Sequence, residues 1–184
     1  RLSLRNWFLP MNVWEPEEMK IGFIYEKTPK TSSWTYAHEL GRLHLEQVSG
    51  GKVTTIVYEQ AETEEKMEAS IENAALEGCL VIFTTASRMI GASVRCAIRH
   101  PELKIYNCSV KMSYSSICTY DARIYEAKFL MGAIAAAMSK SGRLGYVAYC
   151  PIYGTLANIN AFALGARMIN PYATVYLEWS GVEG

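Results

Sequence analysis

From Lys20 onward, short runs of β-branched and aromatic residues alternate with longer amphipathic stretches, and no other feature constrains the fold as strongly. "KIGFIY" (20–25) has the composition of a strand. Ser33 to about Val48 has the period of a helix, with Ser32 or Ser33 as cap and Trp34, Ala37, Gly41, Leu45 and Val48 along one face. "KVTTIVYE" (52–59) is a second strand behind the Gly50-Gly51 turn. "TEEKMEASIENAALEGC" is a second helix: its acidic residues crowd the first turn, where the helix dipole favours them, and Gly78 suits its end. The cycle repeats with "LVIFTT" (80–85), a helix from Met89 to His100 stopped by Pro101, "KIYNCS" (104–109) and a short strand in "SICTY" (116–120). A long helix from Asp121 to about Lys140 precedes "RLGYVAY" (143–149), a helix from about Tyr153 to Ile169, and "TVYLEW" (174–179). Strands and helices alternating at this spacing specify an α/β fold, a parallel sheet flanked by helices on both faces.

The 184 residues suffice for one sizeable core or two small lobes. Lys plus Arg balances Asp plus Glu at 18 each, which gives no electrostatic footprint for nucleic acid. The apolar run "FLMGAIAAAM" (129–138) is about half the length a helix needs to cross a bilayer, so a buried helix is expected there. Five cysteines (Cys79, Cys96, Cys108, Cys118, Cys150) show no C-x-x-C pair and are read as small buried side chains. Residues 1–19 fit no repeat of the cycle. Their Trp7, Phe8, Leu9 and Trp14 require burial on the domain or on a partner, which makes this segment the candidate surface for homo-oligomers. The chain opens on Arg1 and closes soon after a strand, so a piece of a longer α/β protein is expected.

In an open parallel sheet, ligands bind beyond the carboxyl ends of the strands. That rule selects four loops: "EKTPKTSSW", "ASRMIG", "SVKMSYSS" and "CPIYG". They hold no G-x-G-x-x-G and no P-loop, and the chain has neither a G-x-S-x-G elbow nor an H-E-x-x-H site. His38 and His44 are six apart on one helix, a spacing that does not let them share a metal. No carboxylate pair stands where acid–base work would need it, and the acidic residues Glu62, Glu64, Glu65, Glu68 and Glu72 are read as a solvated face. Catalytic residues, metal and cofactor are therefore all expected to be absent. What the loops do offer are Thr31, Ser32, Ser33 and Trp34 after the first strand, Thr85, Ser87 and Arg88 after the third, Ser109 after the fourth, and Tyr149 and Tyr153 flanking the last. Hydroxyls, helix N-terminal amides and aromatic faces suit a neutral, ring-bearing small molecule. Trp34 by itself fits two roles equally, a core plug or a stacking platform.

Several segments, from "KIGFIY" and "SSWTYAHELGR" through "GCLVIFTT" and "TYDARIYEAKFLMGAIAAAMSKSGRLGYVA" to "INAFALGARMINPYATVYLEWS", together resemble the basic membrane protein family of ABC-transporter substrate-binding proteins. The resemblance runs from about Met19 to Trp179. It implies a fold like the type I periplasmic-binding proteins, two α/β lobes joined by a hinge near 116–120 and 144–147, with the second lobe truncated here. The domain expectation is thus an extension at 1–19, a first lobe at 20–118, and at 119–184 the long helix, hinge and start of the second lobe. The resemblance further implies a non-enzymatic receptor that holds a purine nucleoside or purine base in an interlobe cleft and delivers it to an ABC permease, with Trp34 stacking on the base. A lipoprotein on the outer surface of a bacterial plasma membrane would follow. The alternative is a ligand-sensing regulatory domain of a larger intracellular protein, to which five unpaired cysteines and a cytoplasmic location would be suited. Where the family usually carries an acidic residue shortly before the Trp, this chain has Lys30-Thr31-Ser32-Ser33, and after "PI" it has Tyr153-Gly154-Thr155 where a Glu and an Arg are common.

Overall fold

A computed structural model describes residues 18–108, 117–149, 151 and 153–181, with Tyr153 described by its backbone alone. The expectations for residues 1–17, for Ser109 and for Cys150 lie outside the described residues. The chain divides into two compact units, Arg1–Asp121 and Ala122–Gly184.

The first unit contains, in chain order, β1 (Met19–Ile24), α1 (Ser33–Val48), β2 (Val53–Tyr58), α2 (Glu64–Leu76), β3 (Val81–Thr84), a 3-10 turn at Ser87–Met89, α3 (Ile90–Arg99), β4 (Lys104–Cys108) and β5 (Cys118–Tyr120). The strands form one five-stranded parallel sheet in the order β2-β1-β3-β4-β5. Crossovers between parallel strands are right-handed. The step from β1 to β2 runs one way along the sheet, and the steps from β2 to β3 and β3 to β4 run the other way, so α1 covers one face and α2 and α3 the other. The reversal makes the gap between β1 and β3 the topological switch point.

The α2–α3 face holds the larger apolar cluster, including Ile24, Met67, Ile71, Ile82, Met89 and Ile105. Fully burying one such side chain contributes about 1.5–3 kcal/mol. Outside this cluster the two helices are laced together by charge. Glu64 and Glu68 receive Arg95, Glu68 and Glu72 receive Arg99, and Glu72 also meets His100 at 2.6 Å. This corrects the expectation of a merely solvated acidic face: three carboxylates four residues apart on α2 lie opposite the cations of α3.

The α1 face differs from expectation too. Thr35 is the buried residue of α1, and the stripe turned to the sheet holds Thr35, Glu39, Arg42 and Glu46 beside Leu45, which packs as expected on the cluster of Ile21, Phe23 and Tyr25, whereas Trp34, Ala37, Gly41 and Val48 of the expected face are exposed. The cause lies beneath the helix. Tyr25 is fully buried at the end of β1 and its hydroxyl donates to Glu39 Oε2 at 3.0 Å, while Arg42 holds both Glu39 oxygens and donates to Thr55 of β2. A buried hydroxyl needs a partner, and α1 rotates to supply one.

The second unit contains α4 (Ile124–Met138), β6 (Arg143–Ala148), α5 (Tyr153–Ile169) and β7 (Thr174–Trp179), with β6 and β7 paired in parallel. The two helices cross at backbone contact: a Cβ on Gly132 would lie 1.9 Å from the Phe162 carbonyl oxygen, and one on Gly165 1.9 Å from that of Phe129. The expected buried helix is only half right. α4 buries Gly132 and Ala136 and leaves Leu130, Met131, Ile134 and Met138 exposed, because its tight contact is with α5 alone on one side. Of the cysteines, Cys79, Cys96 and Cys108 are buried as expected, whereas Cys118 on the edge strand β5 is exposed. No described helix is long and apolar enough to cross a membrane.

Candidate functional site

The loop after β1 is built by its own hydroxyls. Thr31 and Ser32 both donate their backbone N–H to the Thr28 carbonyl at 3.1 Å, and the Thr28 and Thr31 hydroxyls lie 3.0 Å apart. Ser32 then caps α1, its Oγ accepting from the Thr35 N–H at 3.3 Å. These bonds set Ser33 and Trp34 in the first turn of the helix. Because the polar stripe of α1 faces the sheet, Trp34 is turned aside from the core and stays 40% exposed. Its ring is nonetheless fixed: Nε1 donates to the Thr85 carbonyl across the switch point at 2.7 Å.

Thr85 is itself buried. Its hydroxyl and its backbone N–H both go to the Ile24 carbonyl at the end of β1, at 2.8 and 3.2 Å. The hydroxyl therefore points into the fold, and what Thr85 turns toward the rim is the carbonyl that anchors the indole. Ser87, half-buried, starts the 3-10 turn ahead of α3, whose N-terminal end receives no side-chain cap. Uncapped N–H groups of this kind favour ligand acceptors.

Behind Trp34 the aromatic contact continues inward. The His38 ring lies 5.1 Å from the Trp34 ring, its Nδ1 is 3.0 Å from the Trp34 carbonyl oxygen, and its outer side meets Tyr120 at 6.3 Å. Tyr120 packs edge-on against Phe83, which stacks between Phe23 and Tyr106 across three strands at 5.1 and 5.2 Å. Burial is the main reason the Tyr120 hydroxyl titrates well above the ordinary tyrosine range. Desolvation also pushes Tyr25 up, reinforced by its bond to the Glu39 carboxylate, so both hydroxyls stay neutral donors at ordinary pH. Arg42 in turn holds Glu39 below the usual carboxylate range.

The ends of β3 and β4 are joined by Asn107, whose Nδ2 donates to Thr84 Oγ1 at 2.8 Å and to the Ala86 carbonyl at 3.1 Å. With the nitrogen so committed, the amide cannot be flipped, and among the described residues Asn107 Oδ1 is a buried acceptor with no hydrogen-bond partner.

Of the residues singled out in the sequence, the fold brings Thr31, Ser32, Ser33, Trp34, Thr85 and Ser87 to one edge of the first unit. Tyr153 opens α5 in the second unit. Tyr25 and Glu39 carry no motif in the sequence, and only the fold brings them together at this edge. The spacing of Glu39, Arg42 and Glu46 at i, i+3 and i+7 was a usable signal for an ionic stripe on one helical face. No group of three or more His, Cys, Asp or Glu among the described residues could hold a metal ion.

Residues 18–182 match the family model described as Bmp, ABC transporter substrate-binding protein PnrA-like. A purine-binding protein of Brucella abortus is 35% identical over 163 residues, which is 89% of this chain and 47% of that protein. A Haloferax volcanii protein named as an ABC transporter glucose-binding protein is 27% identical over 165 residues, 90% of this chain and 42% of that protein. A solved solute-binding protein of an ABC transporter system from Conexibacter woesei superimposes with a TM-score of 0.69 at 13% identity, covering 89% of this chain and 55% of that one. The parallel sheet flanked by helices is thus of the type I periplasmic-binding-protein kind. The chain spans about half the length of the curated relatives it matches.

Proposed function

We propose, from the premise that the chain belongs to the PnrA-like family of ABC transporter substrate-binding proteins, that the rim of its first unit binds a neutral purine base or purine nucleoside. The observation that carries this is the Trp34 indole, held at one edge by the Thr85 carbonyl and left 40% exposed at the switch point of the sheet. A ring pinned through its only donor offers a ligand its π-face and nothing else. Such a face suits an aromatic heterocycle, with a stacking contribution of about 1–3 kcal/mol per base. A hexose offers only its weaker C–H faces to the same platform. The exposed Ser33 and the half-buried Ser87 stand at the same edge with hydroxyls that donate or accept, which fits a neutral ligand better than a phosphorylated one. Thr31, Ser32 and Thr85 serve the site by holding its backbone. The 35% identical relative named for purine binding supports the ligand class. As a binder without a catalytic group, the protein hands its ligand to an ABC permease on the outer side of the cytoplasmic membrane.

Thermal denaturation of the full-length protein against guanosine, adenosine, inosine, hypoxanthine and glucose tests this. A ligand present at a hundred times its Kd stabilises the folded state by about 2.7 kcal/mol. At least one purine compound should raise the midpoint and glucose should not. Trp34→Ala should abolish the rise while leaving the unliganded midpoint within a few degrees. A midpoint moved by glucose and by none of the purines would overturn the ligand class.

A further inference from the structure

Three loops meet at the ligand edge of the first unit, and one side chain touches all of them. Arg88 stands in the 3-10 turn after β3; its Nη1 donates to Glu26 Oε1, just past β1, at 2.8 Å, and its Nη2 to the Glu62 carbonyl, between β2 and α2, at 2.7 Å. The loop that begins at Glu26 is the one that carries Ser32, Ser33 and Trp34, and Arg88 itself follows Thr85 and Ser87. The Trp34–Thr85 bond ties the same two loops at a second point. Two ties fix an orientation where one leaves a pivot.

We infer that Arg88 is a positioning residue of the ligand rim, acting through Glu26 and the Glu62 carbonyl to hold the loops after β1, β2 and β3 in one arrangement. The inference rests on the proposed binding role of that rim. A planar guanidinium is suited to this task because its donors diverge in a fixed fork, whereas an ammonium on a flexible stem satisfies one acceptor at a time. The Arg88 side chain is 44% exposed and that of Glu26 26%, so the pair adds little to global stability and its loss should be felt locally. The clasp also neutralises Arg88 at the rim, leaving that cation committed to the protein and not to an anionic ligand.

The test compares wild type, Arg88→Ala, Arg88→Lys and Glu26→Gln in the full-length protein by two independent measurements. The first is amide hydrogen exchange at Thr31, Ser32 and Ala61, whose N–H groups are bonded within these loops. In Arg88→Ala these should exchange about tenfold faster while amides of α2 and α3 keep their protection, a pattern that general destabilisation would not give. The second is calorimetric binding of guanosine, whose Kd should rise about tenfold in Arg88→Ala, less in Arg88→Lys and Glu26→Gln, with a nearly unchanged unliganded melting midpoint. Unchanged exchange at the three amides overturns the inference, as does an unchanged guanosine Kd in Arg88→Ala. If wild type fails to bind guanosine or any other purine, the functional proposal fails alone, and the exchange measurement still decides the role of Arg88.

Discussion

The two faces of the first unit's sheet differ in how they use polar groups. On the α2–α3 face, apolar side chains fill the interior and charge is kept outside, where Glu64, Glu68 and Glu72 meet Arg95, Arg99 and His100. On the α1 face a smaller apolar cluster of Ile21, Phe23 and Leu45 shares the interior with a bonded polar set: Tyr25, Glu39, Arg42 and Thr55 bond beneath the helix, while Tyr36, Leu40 and Leu43 are exposed outside. Apolar burial is non-directional, whereas a hydrogen-bonded stripe has one register. The α2–α3 face, with the larger apolar cluster, therefore supplies more of the bulk stability, and the face that carries Trp34 is the one whose orientation is specified bond by bond.

The largest expected effect tests the first half of that contrast. Ile82, fully buried in the α2–α3 cluster, should cost about 3 kcal/mol when changed to Ala, read as a shifted denaturant midpoint, with ligand affinity unchanged in the folded protein. A comparable loss of affinity would mean that this face also positions the rim. A smaller effect with the opposite signature is expected on the other side. Tyr25→Phe keeps the buried ring but removes the donor to Glu39, and should cost about 1.5 kcal/mol of stability together with a measurable weakening of purine binding. If stability falls and binding does not, the polar seat of α1 is structural only.

Acid sensitivity gives the smallest effect. Arg42 holds Glu39 below its ordinary value, the Thr55 hydroxyl does the same for Glu46, and Arg95 with Arg99 for Glu68. A carboxylate whose folded pKa is depressed contributes stability that is complete above the unfolded value of about 4.3 and is lost as pH falls through the folded one. Melting midpoints should therefore hold steady down to about pH 5 and decline below it. Glu39→Gln should flatten part of that decline. An unaltered slope would place the acid sensitivity on Glu46 and the α2–α3 lattice.

These contrasts also mark what could be read in advance. The expected strand "LVIFTT" reappears one residue shorter at each end, and "TVYLEW" and the helix from Ser33 to Val48 keep their bounds, because a strand or helix is declared by a period of neighbouring side chains. The caps were legible for the same local reason: Ser32 bonds the Thr35 N–H, and Gly78 follows the α2 terminus at φ +85°. The rotation of α1 was not. Its apolar residues lie all round the helix, and the choice of inward stripe was made by Tyr25 and Thr55, on strands before and after it in the chain. Nor could the sequence pair Glu68 with Arg95 and Arg99, some thirty positions away.

By itself, then, the sequence determined the α/β winding, the helix starts and the loops where a ligand could be held, since each depends on contacts between near neighbours. Only the tertiary structure decided that Trp34 is not a core plug. The strand order placed the gap between β1 and β3 beside it, and the Tyr25–Glu39 bond set the register of its helix. The Thr85 carbonyl then fixed the half-exposed ring at the edge. All three depend on groups far apart in the chain, and no local pattern encodes which of them will meet.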